Sequence, residues 1–418
     1  MSLGLAHSAA AATLCVNPGG TSGCYTTIGA AISAAAANDT INVGPGQYTE
    51  DVVVTKALTL VGSGANATVI NAKGLANGIY VNGLDNGGLS GVTITGFTVL
   101  NANYEGILLT NTSYSLIANN HVVNNDQSLN FAAGTCAGLP VFETNEGEDC
   151  GEGIHLVGVH HTTVSNNDVD LNSGGILLSD ETGMTYANEI TGNSVHDNAF
   201  DCGITLASHA PAPQASSTKP FGVFNNNMIG NHVSSNGLAG EGAGIGIFAP
   251  GPGNLAFGNH IIGNIIQNNG LPGVTMHNHA APPGAPGIDM NDTVIQGNFI
   301  SGNGADVQDS ATPGTTGINI YSVAPVYAMS ILENTIQNEA VDVVMNNPGA
   351  MELHLNNLLG KGIGVANLGK GVVNGTLNFF GCAGGPGNTG CSTVKGAAST
   401  IPALAAPVSS APLGPRGR

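Results

Sequence analysis

The stretch that decides the fold is residues 153–198, GIHLVGVHHTTVSNNDVDLNSGGILLSDETGMTYANEITGNSVHDN. It contains two kinds of unit that return along the chain. One is Asn-x-(Val/Ile)-x-x-Asn, present here at 167–172 and 193–198. The other is Gly-(Ile/Val)-x-(Leu/Ile/Met), which begins at Gly153 and again at Gly175. Self-similarity at intervals of about 20–50 residues is typical of a solenoid, in which short units stack on one another.

Both units continue beyond this stretch. The asparagine unit recurs at 231–236, 264–269 and 298–303, with a variant one residue shorter at 334–338. The apolar unit has anchors at Ile107, Ile154, Ile176, Ile204, Ile245, Val274 and Ile318. Alternation around the anchors indicates strands with one face turned inward. We therefore predict coils stacked about 4.8 Å apart over one core, with asparagines hydrogen-bonding to their equivalents in neighbouring coils.

The composition excludes several other classes of protein. Lys plus Arg total 8 against 27 Asp plus Glu, so the net charge is −19 and no basic face is available for nucleic acid. No apolar run is long enough to span a bilayer. A β-propeller is the competing repeat fold, but its blades need about 40–45 residues with aromatic signatures. Aromatic residues make up only 5% of this chain, and tryptophan is absent.

The cysteines indicate an oxidising compartment. Six of the seven fall into close pairs, namely Cys15 with Cys24, Cys136 with Cys150, and Cys382 with Cys391. Local pairs of this kind are typical of disulfide-closed loops in secreted, periplasmic or extracellular proteins. Reduced, unpaired thiols are the alternative. The remaining Cys202 is interpreted as a buried, inert thiol.

Both ends of the repeat region resemble those of the right-handed parallel β-helix superfamily, which includes pectate-lyase-like and NosD-like secreted proteins. At the N-terminal end, CYTTI at 24–28 opens an Ala-rich helix to Ala37; at the C-terminal end, NFFGC at 378–382 precedes GGPG at 384–387. The resemblance implies an all-β, single-stranded solenoid with a short N-terminal capping helix.

We expect the domain organisation to follow this architecture. Residues 1–12 are interpreted as an added start joined to the remnant of a removed signal peptide. Residues 13–398 form one β-helix domain, with a cap at 13–50 and a closing segment at 376–398. The Pro/Ala/Ser-rich tail, 399–418, is predicted to be disordered from residue 403 onward.

The superfamily contains pectate lyases, polygalacturonases, alginate-modifying and fructan-processing enzymes, copper-delivery proteins and adhesins, so the fold alone does not select a function. Pectate lyases use a basic residue to abstract the proton, but Lys219 is the only Lys or Arg between Lys73 and Lys361. The Asn-Thr-Asp, Gly-His-Gly and Arg-Ile-Lys motifs of polygalacturonases are absent. A charge of −19 also repels polyanions. We therefore favour a neutral or weakly charged glycan as the target.

Aligning the coils on their anchors collects polar residues on the outward face of the central coils. Glu181, His209 and His279 share the column five residues after the anchor, and His277 lies in the column three after it. The predicted acid–base residues are Asp180, Glu181, Asp201, His209, His277 and His279. The predicted substrate-binding residues are His155, Glu241, Phe248 and Tyr321. Insertions at 210–220 and 280–287 would wall a groove beside them.

Three functions stay open. The favoured one is a secreted polysaccharide lyase, glycosidase or related transferase that uses this His/carboxylate site. The second is a NosD-like periplasmic metal-binding protein, in which His209, His277 and His279 hold a divalent metal ion. The third is a non-catalytic surface or adhesive solenoid, whose outward histidines are simply solvated. In each case we expect a monomer with no nucleic-acid partner and no membrane span, and in the first case a polysaccharide partner.

Overall fold

The computed structural model describes residues 10–133, 135–140, 151–209, 221–251, 253–278, 288–308, 310–412 and 414. Within them, the chain winds repeatedly through three parallel sheets, here named A, B and C. Sheet A holds Thr13–Val16, Thr40–Val43, Thr59–Gly62, Thr93–Thr95, Leu116–Ala118, Thr163–Ser165, Glu189–Thr191, Asn227–Ile229, His260–Ile262, Val294–Gln296, Met329–Leu332, Ala350–His354 and Val372–Asn374.

Sheets B and C complete each coil. Sheet B holds Gly46–Tyr48, Thr68–Asn71, Thr98–Leu100, His121–Val123, Asp168–Asp170, Ser194–His196, His232–Ser234, Ile265–Gln267, Phe299–Ser301, Thr335–Gln337 and Asn357–Leu358. Sheet C holds Val52–Val54, Ile79–Asn82, Ile107–Thr110, Glu152–Val157, Gly174–Ser179, Ile204–Ala207, Ile245–Phe248, Val274–His277, Thr316–Tyr321, Val341–Asn346, Ile363–Asn367 and Thr393–Lys395.

A few short elements decorate the coils. The small strand pairs are Leu89–Ser90 with Thr112–Ser113, Leu129–Asn130 with Thr135–Cys136, and Thr185–Tyr186 with Val223–Phe224. The helical segments are the 3-10 turns Thr21–Gly23 and Phe131–Ala133 and the α-helix Ile28–Ala34.

The register of sheet C is the one that the anchors predict. The register partners are Ile107, Ile154, Ile176, Ile204, Ile245, Val274 and Ile318. Ile154 and Leu156 point inward and are completely buried, so His155 between them points outward. The prediction that successive coils bring distant residues into vertical rows is therefore confirmed for this sheet.

Buried asparagines form ladders along the corners between sheets, as the repeat predicts. One ladder comprises Asn120, Asn167, Asn193, Asn231, Asn264, Asn298, Asn334, Asn356 and Asn378. A second comprises Asn125, Asn172, Asn198, Asn236, Asn269 and Asn303. In a typical rung, the Asn193 Oδ1 accepts both the backbone N–H and the side-chain N–H of Asn167, each at 3.0 Å. The side chains therefore satisfy the backbone groups that the sharp corners leave unpaired.

The second ladder ends differently from the sequence prediction. The shortened unit at 334–338 predicts Asn338 as the next rung, but Asn338 is exposed. Glu339 takes the position instead, and its Oε1 accepts the Asn303 backbone N–H at 2.9 Å and the Asn303 side-chain N–H at 3.1 Å. The six-residue spacing is thus kept, because a glutamate carboxyl oxygen can replace the asparagine amide oxygen as an acceptor.

We expect Glu339→Gln to stabilise the protein near neutral pH. Burial raises the pKa of Glu339 to about 7, although its bonds with Asn303 lower it. The native state therefore keeps a proton that the unfolded chain releases, so stability falls as pH rises from about 4.5 to about 7. Glutamine keeps the acceptor oxygen but cannot ionise. The variant should therefore gain up to about 3 kcal/mol in the free energy of unfolding at pH 7.5. Urea denaturation at pH 4 and 7.5 measures this; an equal gain at both values contradicts it.

Among the described residues, one α-helix closes the N-terminal end of the core. Ile28–Ala34 is shorter than the predicted helix to Ala37. The Glu50 carboxylate accepts the backbone N–H groups at the helix start, and the Lys56 ammonium donates to carbonyls of its last turn. The negative charge at the helix start and the positive charge at its end both interact favourably with the helix dipole. These interactions help to stabilise a helix that is short.

In its described residues, 399–412 and 414, the tail bonds to the last coils, which differs from the disorder that its composition predicts. The Val408 backbone N–H donates to the Asn357 Oδ1 at 2.7 Å, and the Leu404 N–H donates to the Asn378 carbonyl at 2.9 Å. Ala411 is buried. The polar groups of the last coils thus provide partners for the tail, which a composition argument does not consider.

Two of the predicted disulfides are present, Cys15 with Cys24 and Cys382 with Cys391. Cys136 is also disulfide-bonded, while Cys150, its predicted partner, lies outside the described residues. Cys202 is a buried free thiol, as predicted. In the described part of the chain, no helix has the length and apolar character needed to cross a membrane.

Candidate active site

The outward face of sheet C is buried where the predicted site residues lie. His155, His209 and Glu181 are 3%, 6% and 4% exposed, and His277 is 6% exposed. The alternative in which these histidines are solvated surface residues is therefore wrong for the described ones. A buried histidine or carboxylate needs hydrogen-bonding or ionic partners inside the protein. The chemistry of this face therefore depends mainly on which side chains are paired.

Glu181 and His209 form the central pair. The His209 Nδ1 lies 2.7 Å from the Glu181 Oε1, so the contact predicted from stacking one coil on the next is present. Asp180 holds the same histidine by its backbone, because the Asp180 Oδ1 accepts the His209 N–H at 2.8 Å. The other Asp180 oxygen lies 2.7 Å from the Ser208 hydroxyl. Two consecutive carboxylates thus fix the ring and the backbone of one histidine.

The environments of these two carboxylates push their pKa values apart. Burial raises the pKa of Asp180 to about 7, helped by the charge of Glu181 and opposed by the bond with Ser208. Burial also acts to raise the pKa of Glu181, but attraction to His209, their hydrogen bond and attraction to His155 outweigh it and lower the pKa to about 2. At pH 6, Asp180 therefore keeps its proton while Glu181 is ionised. Such a divergence is characteristic of acid–base sites.

A second cluster lies beside this pair. The His155 Nδ1 is 3.2 Å from the Glu105 Oε1 and 3.7 Å from the Glu152 Oε2. The His155 Nε2 lies 2.7 Å from the Ser179 hydroxyl. The charge of His155 also helps to lower the pKa of Glu181, so the two clusters are electrostatically coupled. The predicted substrate contact of His155 stays a prediction.

The other predicted residues are dispersed. The ring of His277 packs edge-on against Phe248 and Tyr321, with centroids 6.4 and 4.9 Å away, two coils from His209. Asp201 accepts from the Thr205 hydroxyl at 3.4 Å. Glu241 is half-buried in the turn before its sheet C strand. His279 lies outside the described residues, as do the insertions at 210–220 and 280–287. The catalytic and binding roles of all these residues stay predictions.

Glu105 is the residue that sequence reasoning missed. It lies two positions before the anchor Ile107, and Glu152 lies two positions before the anchor Ile154. The columns after the anchors predict the acid–base site, but the column two positions before the anchors also holds carboxylates. Ser179 and Ser208 were also missed as partners, because a serine in a strand gives no chemical signature by itself.

Comparison with known proteins supports the architecture. A family model described as "Right handed beta helix region" matches residues 65–219. The Dettilon tailspike protein has 12% identity and a TM-score of 0.56, over 88% of this chain and 63% of that one. The catalytic unit of an α-1,3-glucanase from Streptomyces thermodiastaticus has 15% identity and a TM-score of 0.50, over 90% and 66%.

A third similar structure is the A-module of a mannuronan C-5 epimerase from Azotobacter vinelandii, with 12% identity and a TM-score of 0.46, over 91% of this chain and 94% of that one. No curated protein sequence matches the chain. The sheet topology, together with the tailspike and glucanase structures, shows that the fold is a right-handed parallel β-helix. At such low identity, likeness of structure shows the fold alone.

Proposed function

We propose that this protein is a carbohydrate-active enzyme that hydrolyses a neutral or weakly charged glycan by acid–base catalysis at His209. The observation that carries the proposal is the buried Glu181–His209 pair, 2.7 Å apart, with Asp180 bound to the same histidine. A carboxylate that holds Nδ1 of a histidine sets the tautomer and stabilises the protonated ring.

In this mechanism, protonated His209 gives the proton on its other ring nitrogen, Nε2, to the leaving glycosidic oxygen as the C–O bond breaks, and the attacking water returns a proton to Nε2 as it adds to the sugar carbon. Glu181 stays ionised over the working pH range, because its pKa lies near 2, and it compensates for the charge of the imidazolium. Asp180 is a positioning residue, since its two oxygens bond to the backbone of His209 and to Ser208. A low-dielectric environment strengthens each of these interactions.

The substrate class follows from charge and reaction type. The chain carries −19 at neutral pH, which repels polyanionic polysaccharides. β-Elimination also requires a uronate, whose carboxylate acidifies the neighbouring proton and is commonly held by cations. We therefore favour hydrolysis over elimination. The half-buried rings of Phe248 and Tyr321 offer apolar surface against which sugar rings pack. Among proteins of similar fold, the α-1,3-glucanase is named for activity on a neutral glucan.

The cellular location belongs to the same proposal. The Cys15–Cys24 and Cys382–Cys391 disulfides fit an oxidising compartment. We propose that the protein is secreted or periplasmic and meets its polysaccharide outside the cytoplasm.

A panel of neutral and acidic polysaccharides, assayed for new reducing ends and for unsaturated sugars, tests the proposal. We expect wild type to release reducing ends from a neutral glycan, with kcat/KM at least tenfold lower in His209→Ala and Glu181→Gln. The matched control is His196→Ala, because His196 also pairs with a carboxylate, Asp168 at 3.1 Å, but lies on sheet B.

Unsaturated products from an acidic glycan would show that the protein acts by elimination and not by hydrolysis. Activity that is equal in wild type and His209→Ala would refute the proposed site. Absence of activity across the whole panel would favour the adhesive solenoid.

A further inference from the structure

We propose that Glu105, Glu152 and His155 bind one divalent transition-metal ion, with Zn²⁺ as the ion that fits best. The side chains start on neighbouring coils: Glu105 precedes one strand of sheet C, and Glu152 and His155 belong to the next. Each offers one ligand atom, and these three atoms lie within 4.8 Å of one another. Among the described residues, neither His209 nor His277 belongs to such a group of three.

The distances fit a tetrahedral site. The His155 Nδ1 is 3.2 Å from the Glu105 Oε1 and 3.7 Å from the Glu152 Oε2. Two ligands that each lie about 2.0–2.2 Å from a tetrahedral zinc ion are about 3.3–3.6 Å apart. The two distances from His155 thus lie close to this range, and the two carboxylate oxygens, which lie within 4.8 Å of each other, would have to reach a similar separation.

The charges of the three side chains and an unmade hydrogen bond among them also favour a bound cation. The three residues are 0%, 2% and 3% exposed, so two carboxylates share a dry environment with one imidazole. The Glu105 Oε2 is completely buried, and it has no hydrogen-bond partner in the part of the chain that the structure describes. An unpaired buried carboxylate oxygen is costly, and a metal ion that Glu105 binds through both of its oxygens would satisfy it. Lys219, the only Lys or Arg between Lys73 and Lys361, lies outside the described residues.

The surroundings of His155 are those of a metal ligand. Its Nε2 lies 2.7 Å from the Ser179 hydroxyl. That contact turns the opposite nitrogen, Nδ1, toward the two glutamates and fixes the orientation of the ring. Metal-binding histidines usually bond through their second nitrogen in this way.

Space for the site is kept by a glycine. Gly174 is the register partner of Glu152 in the next coil. A Cβ at position 174 would lie 3.0 Å from the Glu152 Cγ, a contact that forces the glutamate side chain to shift. A larger residue in that row would therefore displace one of the proposed ligands.

The ligand types select the metal. Imidazole nitrogen with carboxylate oxygen suits zinc and other first-row transition ions, whereas Ca²⁺ and Mg²⁺ prefer sites made only of oxygen. The proposal does not depend on the proposed hydrolysis, and its test does not use activity.

The experiment uses the untagged full chain, stripped with a chelator and titrated separately with Zn²⁺, Mn²⁺ and Ca²⁺ by calorimetry, with bound metal counted by mass spectrometry. We expect about one Zn²⁺ per chain at this site and binding at least about tenfold weaker in Glu105→Gln and in His155→Gln. Thermal melting of each variant shows whether it folds, and Glu152→Gln provides a third variant.

Glu339→Gln is the matched control, because it changes a buried carboxyl group of the second asparagine ladder, in a distant coil. It should keep the wild-type zinc affinity. The proposal is overturned if folded Glu105→Gln binds Zn²⁺ as wild type does, if only Glu339→Gln loses the ion, or if the stripped wild type takes up no transition metal.

Discussion

Asp180→Asn is expected to make the protein more stable at neutral pH, by up to about 4 kcal/mol at pH 7 to 8. Burial raises the pKa of Asp180 to about 7, against an ordinary value of 3.8. Between those two values the native state holds a proton that the unfolded chain has released. The stability of the wild type therefore falls as pH rises through this range. Asparagine cannot ionise and avoids the loss.

The variant also preserves the local geometry. Its Oδ1 can still accept the His209 backbone N–H, and the Ser208 hydroxyl, which donates to the Asp180 Oδ2, can rotate to accept from the asparagine amide instead. Catalysis should therefore change by less than tenfold near pH 6. Chemical denaturation at pH 4, 6 and 8 gives the stability difference, which should be near zero at pH 4.

Glu181→Gln is the matched control with the opposite sign. The pKa of Glu181 is lowered to about 2, so its contribution to stability is present above about pH 4.5 and is lost on acidification. This variant should be less stable than wild type at pH 7. If both variants change stability in the same direction at pH 7, the assignment of one protonated and one ionised carboxyl is wrong.

Asn193→Ala is expected to cost at least about 3 kcal/mol of the free energy of unfolding. The Asn193 Oδ1 accepts two N–H groups of Asn167, and its amide donates to the Val164 carbonyl at 2.9 Å and to the Asn231 Oδ1 at 3.0 Å. All these groups are buried between coils. Each group that loses its partner costs about 1–3 kcal/mol, although relaxation recovers part of the total.

Asn66→Ala provides the comparison, because Asn66 is an exposed turn residue of the same type. Its stability should lie within about 0.5 kcal/mol of wild type. Urea denaturation of both variants, with circular dichroism as the signal, measures the difference. A loss below 1 kcal/mol for Asn193→Ala would mean that the ladder contributes little to holding the coils together.

The repeat was enough to predict the architecture, because its two units report local requirements that recur in every coil. Apolar anchors such as Ile154 and Ile176 must point into the core, and asparagines such as Asn167 and Asn193 must satisfy the corner backbone. The register follows from these repeats, and with it the contact between Glu181 and His209. The replacement of a ladder asparagine by Glu339 did not follow, because the sequence offered Asn338 one position earlier.

The candidate site was only partly predictable. The anchors predict which residues share the column of the site, but they do not predict burial. An odd number of residues after an anchor means that the side chain points outward from the core, not that it is exposed to water. The divergent pKa values of Asp180 and Glu181 depend on that burial and on their separate partners. The cluster of Glu105, Glu152 and His155 depends in addition on the pairing of the strands Ile107–Thr110 and Glu152–Val157, which lie far apart in the chain.

Sequence alone determined the solenoid, its asparagine ladders, the net charge of −19 and the Cys15–Cys24 and Cys382–Cys391 pairs, because each of these follows from a short pattern, from close spacing or from composition. The tertiary structure decided which polar side chains share a dry environment. The physical reason is the removal of water from the outer face of sheet C. Without water, the glutamates, aspartates and histidines there must bond to one another, share protons or bind a cation.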